Sequence, residues 1–343
     1  MTLDKSSKIM VTGANGHVGF NLLKMLKEMG YINLRASVRD ANDSTKTTAL
    51  KALGITDIVS LDILNADTFA SVSQGIDVLF HVAATYRIHT SGGAADRQMI
   101  DDSVIGTRSA MNAAAQNKIA HVVMTSSTVT MPTAIPGQTL PDETEWRTDL
   151  QVPYMRAKVE AEKLAWDLAE EHDIKLATIL PGAILGPNFG KGTQSTDFIK
   201  AMMMGSMRMG TIGIYFPVID VRDVARAHIL AAEQGVVGRF AAVSDVETAP
   251  KFVDLLKLMR TINTKVPKPM MVLPQIAHGT VPLVDWLMNK LIGSPRTVTR
   301  AFMSTLGAEQ VLASNAKAKS VLGWKPIISL EQTLRDTMAE LST

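Results

Sequence analysis

The stretch "VPYMRAK", residues 152–158, places a tyrosine four positions before a lysine. On a helix this spacing puts Tyr154 and Lys158 on one face, one turn apart. A free tyrosine has a pKa of about 10, too high for ready proton exchange near neutrality, and a neighbouring ammonium stabilises the phenolate and lowers that pKa. The two residues are therefore either a proton-transfer pair or two unrelated side chains of an amphipathic helix, and the rest of the sequence must decide.

A glycine-rich turn is the second candidate for chemistry. In "VTGANGHVG", Gly13, Gly16 and Gly19 follow a predicted strand and open a predicted helix. Gly13 permits a tight turn, Gly16 lets the backbone approach a pyrophosphate, and Gly19 lets the helix pack on the strand. The helix N-terminus offers free N–H groups and the positive end of a dipole to phosphates. This context predicts a dinucleotide site, and the alternative is a tight turn without a ligand.

The end of the second predicted strand should select the dinucleotide. NAD-binding proteins carry an acidic residue there, which hydrogen-bonds the ribose 2′-hydroxyl. Here the sequence reads "SVRDANDSTK", so that Arg39 and Lys46 are available to a 2′-phosphate, while Asp40 would face another direction. NADP is therefore predicted, unless Arg39 is a solvated loop residue. Asp62, after the third predicted strand, could bond the adenine amino group or be a plain strand-end carboxylate.

Short β-rich runs alternate with helical patterns through the first half of the chain. The predicted strands cover residues 8–13, 34–39, 57–62, 77–84, 121–127 and 175–181, and the longer predicted helices cover residues 97–116 and 154–171. Strands alternating with helices are typical of βαβ units and of a parallel sheet covered on both faces. The predicted fold class is α/β, with a doubly wound parallel Rossmann sheet.

After Pro181 the pattern becomes less regular, with methionines clustered at 202–209 and prolines spread over 250–295. We predict a dinucleotide-binding domain over residues 1–187, with segments near 214–245 and 313–326 returning to it. Residues 188–343 are predicted to form a smaller, mostly helical substrate lobe, interleaved with those segments. The amphipathic stretch at 281–293 is interpreted as core or a substrate lid rather than a membrane-surface contact, because its polar face lacks a basic cluster.

Composition excludes several classes of protein. The 343 residues carry a formal net charge of +2 without a basic run, which argues against nucleic acid as a partner. The absence of cysteine excludes disulfides and thiolate sites. The seven histidines are scattered, and no metal site is predicted. The beginning of the chain lacks an apolar signal core and no apolar run could span a bilayer, so a cytoplasmic protein is expected.

Together, the motifs resemble the extended short-chain dehydrogenase/reductase family, and most closely its dihydroflavonol-reductase-like branch. The matching stretches run from residue 8 to about 330; they are "VTGANGHVG", "SVRD", "LDIL", "DVLFHVAA", "GTRSAMNAA", "VVMTSS", "PYMRAK", "LPGAILGP", "DVRDVARAH" and "LGWKP". The resemblance implies catalytic roles for Tyr154 and Lys158, with the lysine also binding the nicotinamide ribose. It places the catalytic serine at Ser127, although Ser126 and Thr128 lie one position away. The further cofactor contacts that it implies are Asn15, His17, Val18, Ile63, Ala83, Ala84, Thr85, Pro181, Ala183 and Ile184.

The chemistry expected from this resemblance is reduction of a carbonyl by NADPH. Tyr154 would protonate the alkoxide and Ser127 would donate a hydrogen bond to the carbonyl oxygen. One departure concerns a relay asparagine found in many relatives, whose position holds Ser103 here. No catalytic role is assigned to Ser103.

Three function classes remain open at this point: a reductase of ketones or aldehydes, an NAD-dependent nucleotide-sugar epimerase or dehydratase, and a catalytically silent NADP sensor. The segment "TIGIYFPVI" has no basic residue, which argues against a sugar diphosphate. The intact Tyr154 and Lys158 argue against the sensor. An apolar substrate pocket is predicted from Tyr86, Met131, Phe189, Tyr215 and Phe216. The resemblance is compatible with a monomer or a homodimer.

Overall fold

The structure is a computed structural model that describes residues 3–84, 93–134, 139–274, 279–292 and 312–342. Its main sheet has seven parallel strands in the order β10-β6-β5-β4-β1-β2-β3. These strands are β1 Ile9–Val11, β2 Leu34–Val38, β3 Asp57–Ser60, β4 Val78–His81, β5 His121–Thr125, β6 Lys175–Pro181 and β10 Gly238–Ala242. Two small parallel pairs add β7 Ala183–Leu185 with β9 Val218–Asp220, and β8 Thr211–Ile212 with β11 Val272–Leu273.

Helices cover both faces of the sheet and build the second part of the chain. In chain order they are α1 His17–Glu28, α2 Ser44–Ala52, α3 Ala66–Val72, α4 Ala94–Gln116, α5 Pro153–Glu171, α6 Gln194–Met203, α7 Val221–Gln234, α8 Phe252–Ile262, α9 Val281–Ile292, α10 Ala316–Leu322 and α11 Leu330–Leu341. The doubly wound Rossmann architecture is therefore confirmed.

The two sheet faces have separate apolar cores, and the central strand β1 buries all three of its apolar side chains, Ile9–Val11, between them. On one face, Leu22 and Leu23 of α1 pack with Val224 and Ile229 of α7 over the sheet. On the other, Phe69 of α3 packs with side chains of α4 and α5. A third core lies in the second part of the chain, between α6, α8, α11 and the short strands. The predicted division into two domains stays a prediction.

The strand order reverses direction between β1 and β4. From β1 the chain builds outward through β2 to β3, then returns to place β4 on the other side of β1. A crevice opens at such a switch point beyond the carboxyl ends of the strands, and it is where ligands bind in this class of fold. The glycine-rich turn follows β1, and residues 82–84 follow β4, at this crevice.

The last helix holds a loop that lies far from it in sequence. The hydroxyl of Thr337 accepts the N–H of Gly186 at 2.8 Å. The carboxylate of Glu340 accepts the N–H groups of Asn188, Phe189 and Gly190 at 2.5, 2.9 and 3.1 Å. Helix α11 therefore fixes the loop at 186–190, which leads to α6.

The described residues can also be searched for membrane-spanning helices and for clusters of metal ligands. Over the ranges given above, no helix combines the length and the apolarity that a bilayer span requires. Within the same ranges, no three potential metal ligands come together. Residues 281–292 of the predicted amphipathic stretch form helix α9, and the side chains of Leu283, Trp286 and Leu287 are exposed on it.

Candidate active site

A cavity of about 610 Å³ lies at the switch point of the sheet. Its walls come from the ends of β1, β2, β4, β5 and β6, from the start of α5, and from residues 191–195. Most of the residues predicted from the sequence line it: Gly13, Asn15, Gly16, His17, Val18, Gly19, Arg39, Lys46, Asp62, Ile63, Ala83, Ala84, Ser127, Tyr154, Lys158, Pro181 and Ile184. The fold thus brings together the glycine turn and the Tyr–Lys pair, which are separated by about 140 residues in sequence.

The glycine turn is shaped so that side chains would not fit. Gly13 has φ +65°, and a Cβ there would lie 3.0 Å from the Cα of Ala83. A Cβ on Gly19 would lie 2.3 Å from the carbonyl oxygen of Gly13. Helix α1 begins without a side-chain cap at Gly16, so its first N–H groups stay open to a ligand. These features fit the pyrophosphate of a dinucleotide.

The end of β2 provides positive charge at one side of the cavity. Arg39 is exposed there, and Lys46 lies opposite on α2, where its ammonium pairs with Asp43 at 3.0 Å. Asp40 is turned to its own loop, since its carboxylate accepts the N–H of Asn42 at 2.9 Å. Two cations therefore border this side of the cavity.

Thr12, directly after β1, connects this strand to the end of β4, and it was not among the residues predicted from the sequence. The hydroxyl of Thr12 accepts the N–H groups of Val82 and Ala83, both at 3.0 Å, and lies 3.2 Å from Nδ1 of His81. Burial, assisted by the nearby Lys158 charge, lowers the pKa of His81 from 6.5 to about 4. His81 is therefore neutral at pH 7, and it contributes no charge to the site.

Tyr154 and Lys158 lie on the first two turns of α5. Pro153 starts this helix at a position where no backbone donor is needed, and its fixed φ suits a helix start. Both side chains face the cavity. Burial lowers the pKa of Lys158 from 10.5 to about 8, while the carboxylate of Glu162 acts in the opposite direction. Lys158 thus stays mostly protonated at pH 7 and can stabilise a phenolate beside it.

Ser127 lies just beyond β5, not on it. The strand ends at Thr125, two residues earlier than predicted, and Ser127 caps a short 3-10 turn at Thr128–Thr130. Ser126 and Ser127 both border the cavity, but the hydroxyl of Ser126 donates to the buried Glu162 at 2.6 Å. Strand alternation therefore does not decide between the two serines, and hydrogen bonding favours Ser127 as the one available to a ligand.

The predicted substrate pocket needs correction. Met131 is fully buried among Leu180 and Ala241, and Phe216 packs against Phe198 and Phe252 in the third core. Apolar type alone cannot distinguish a pocket wall from a core, and these two residues belong to cores.

The other candidates for that pocket lie in different surroundings. Phe189 is buried edge-on against His17, with ring centroids 5.6 Å apart. The ring of Tyr215 lies under the ammonium of Lys251, 4.8 Å from its centroid. Tyr86, with the cofactor candidate Thr85, lies outside the described residues.

Two further positions named from the sequence are Ala183, an expected cofactor contact, and Ser103, to which no role was assigned. The N–H of Ala183 donates to the carbonyl of Pro217 at 2.8 Å, so it is not available to a nicotinamide amide, and Ala183 is not among the cavity-lining residues. The hydroxyl of Ser103 donates to the carbonyl of Met99 at 2.8 Å within its own helix. Neither observation supports a role at the reacting centre.

Part of the cavity wall was missed from the sequence. The missed residues are Ser37, Val38, Leu61, Val82, Thr125, Gly182, Lys191, Gly192, Thr193, Gln194 and Ser195, while Ser126 was named only as an alternative to Ser127. The missed residues at the carboxyl ends of strands could have been predicted, because these strand ends meet at one edge of a parallel sheet. Residues 191–195 could not be predicted in this way, because they do not end a strand and they reach the cavity through the course of a loop.

Comparisons with known proteins agree with this geometry. The family model of the NAD dependent epimerase/dehydratase family matches residues 9–243. Cinnamoyl-CoA reductase 1 of Oryza sativa subsp. japonica is 30% identical over 273 residues, which are 76% of this chain and 77% of the relative. Anthocyanidin reductase of Vitis vinifera is 28% identical, covering 91% of this chain and 96% of the relative. Among solved structures, UDP-glucose 4-epimerase of Thermotoga maritima is 20% identical with a TM-score of 0.73, covering 97% and 98% of the chains, and at that identity it shares the fold alone.

Proposed function

The chain belongs to the NAD dependent epimerase/dehydratase family, and from that premise we propose that it is an NADPH-dependent reductase converting ketones or aldehydes to chiral alcohols. The main supporting observation is that Ser127, Tyr154 and Lys158 border the same cavity as the glycine turn. The similarity to two plant reductases supports reduction over other reactions of the family.

The glycine turn and the N-terminus of α1 would hold the pyrophosphate, and Arg39 with Lys46 would hold the 2′-phosphate. When bound, the cofactor supplies a hydride to the carbonyl carbon. Ser127 donates a hydrogen bond to the carbonyl oxygen and orients it. Tyr154 gives its proton to the same oxygen, and Lys158 stabilises the resulting phenolate.

The choice of cofactor is expected to depend on Arg39. In Arg39→Ala, the transition state with NADPH should lose about 1.5 to 3 kcal/mol of stabilisation, the usual value for a hydrogen bond to a charged group, and kcat/KM with NADPH should fall accordingly. The value of kcat/KM with NADH should change little. The measurement is kcat/KM for both cofactors in parent and variant. Lys51→Ala is the matched control, because it removes an exposed cation from neighbouring α2, outside the cavity wall. An unchanged preference for NADPH over NADH would remove Arg39 from this role.

The substrate is expected to be an apolar or aromatic carbonyl compound. Residues 211–219 carry no basic side chain of their own, although Lys251 stacks on Tyr215. Consumption of NADPH should be measured against aromatic ketones, α-keto esters, aldehydes and sugar nucleotides. Turnover with the carbonyl compounds and none with sugar nucleotides is the expected result.

Two results of that panel would favour the alternatives. Conversion of a UDP- or GDP-sugar, with retained NAD and no net use of cofactor, would identify an epimerase or dehydratase. Tight binding of NADPH without turnover of any compound would instead favour an NADP sensor.

A further inference from the structure

A carboxylate without contact to solvent lies one turn beyond Lys158. Glu162 is fully buried, and Tyr154, Lys158 and Glu162 follow each other at four-residue intervals on α5. Its Oε1 accepts hydrogen bonds from Thr178 at 2.7 Å and from Nε of Arg239 at 2.9 Å. Its Oε2 accepts the hydroxyl proton of Ser126 at 2.6 Å. Every one of these donors comes from outside α5, so Glu162 ties the catalytic helix to the sheet.

Arg239 extends this network from β10 to the loop between β5 and α5. Its Nη1 donates to the carbonyls of Glu143 and Glu145 at 2.7 and 2.9 Å, and its Nη2 donates to Oγ1 of Thr130 at 2.8 Å. The guanidinium also lies 3.7 Å from the ring centroid of Trp146. Arg239 is nearly as buried as its partner, with 6% of its surface exposed.

The Glu162–Arg239 ion pair binds the short segment that carries Ser127 at both of its ends. Ser126 is bound to Glu162 directly. Thr130 accepts from Arg239 and donates its own hydroxyl proton to the carbonyl of Ser127 at 2.9 Å. Displacing either partner of the pair would release one end of this short segment.

Glu162 is also the counter-charge that acts on Lys158. Among the described residues, Glu162 on its own helix and the neutral His81 on β4 interact electrostatically with the ammonium, and Tyr154 lines the same cavity. The carboxylate raises the pKa of Lys158 against the larger effect of burial. A negative charge here stabilises the protonated form of Lys158.

A buried ion pair is costly to desolvate, and well-packed apolar residues often stabilise a fold equally well. Stability alone therefore does not account for this pair. We propose that Glu162 is a positioning residue for the reaction: paired with Arg239, it fixes the Ser127 segment and supplies the counter-charge for Lys158. This inference rests on the proposed function.

The test is Glu162→Gln, which keeps shape and removes the charge. We expect kcat to fall about tenfold or more, with KM for NADPH little changed. The alkaline limb of the pH profile, which belongs to the coupled Tyr154–Lys158 pair, should move down by about one pH unit. Glu160→Gln is the matched control: it makes the same substitution two residues away on α5, at a side chain 36% exposed and paired with Arg156. A parental kcat and an unmoved alkaline limb in Glu162→Gln would overturn the proposal.

Two additions keep the test decisive. If Glu162→Gln does not fold, the double variant Glu162→Gln/Arg239→Gln removes both buried charges. The alkaline limb should move in the same direction but less, because loss of the Arg239 charge acts on Lys158 in the opposite sense. Titration of the Lys158 Cε resonance in 13C-lysine-labelled protein, assigned with Lys158→Arg, needs no substrate. A lower pKa of Lys158 in the variant would support the counter-charge role even if no carbonyl compound is reduced, whereas an unchanged pKa would contradict it independently of the enzyme's activity.

Discussion

Tyr154→Phe is expected to retain at most about one per cent of the parental kcat at saturating NADPH. The change removes one oxygen atom, and general acid catalysis typically contributes 10²- to 10⁴-fold. Cofactor affinity and the fold should be kept, because the phenyl ring can remain at the start of α5. The measurements are kcat with the best carbonyl substrate, NADPH affinity by fluorescence, and circular dichroism.

Tyr31→Phe provides the control for this experiment. Tyr31 is buried, and its hydroxyl donates to Glu233 at 2.6 Å, so the variant loses a hydrogen bond distant from the cavity wall. It should lose some stability and keep kcat. Retention of more than about a tenth of kcat in Tyr154→Phe would mean that another group protonates the product.

Gly19→Ala is expected to abolish measurable NADPH binding at ordinary concentrations. The added Cβ would lie 2.3 Å from the carbonyl oxygen of Gly13 and 2.9 Å from its carbonyl carbon, so the backbone of the turn must move. Overpacking of this kind typically costs about 1 to 3 kcal/mol of stability. In addition, each hydrogen bond to a charged phosphate that is lost should weaken NADPH binding by about 1.5 to 3 kcal/mol, which raises Kd roughly 10- to 150-fold.

The measurements for Gly19→Ala are Kd for NADPH and the midpoint of thermal unfolding. Gly279→Ala is the control, since a Cβ at Gly279 meets open space. It should leave both quantities close to those of the parent. Parental affinity in Gly19→Ala would show that the turn does not contact the phosphates.

The doubly wound parallel fold and the glycine turn could be predicted because local pattern determines them. The alternation of buried strands with amphipathic helices indicates a parallel sheet, and the glycine spacing indicates where its crevice opens. The shared face of Tyr154 and Lys158 could be predicted for the same reason, since they lie one turn apart on a single helix, whereas their catalytic roles are implied by the family resemblance. Glu162 carried the same signal four residues later, and it could have been identified from that spacing.

The remaining features depend on contacts between distant parts of the chain. Phe216 and Met131 became core residues because Phe252 and Ala241, among others, close over them. The hydrogen bond of Ala183 to Pro217 depends on the pairing of two short strands. Hydropathy and residue type do not encode such contacts, so the substrate pocket was the least predictable part of the site.

The contacts of α11 with the loop at 186–190 also bear on how the protein is made. Glu340 and the loop N–H groups that it binds are about 150 residues apart. At about 5 to 20 residues per second, a ribosome needs roughly 8 to 30 seconds to synthesise that interval. During this time the loop leading into the 191–195 wall lacks its anchor, although the glycine turn has already emerged. In the nascent chain, the loop at 186–190 therefore stays without this anchor until residue 340 has been synthesised.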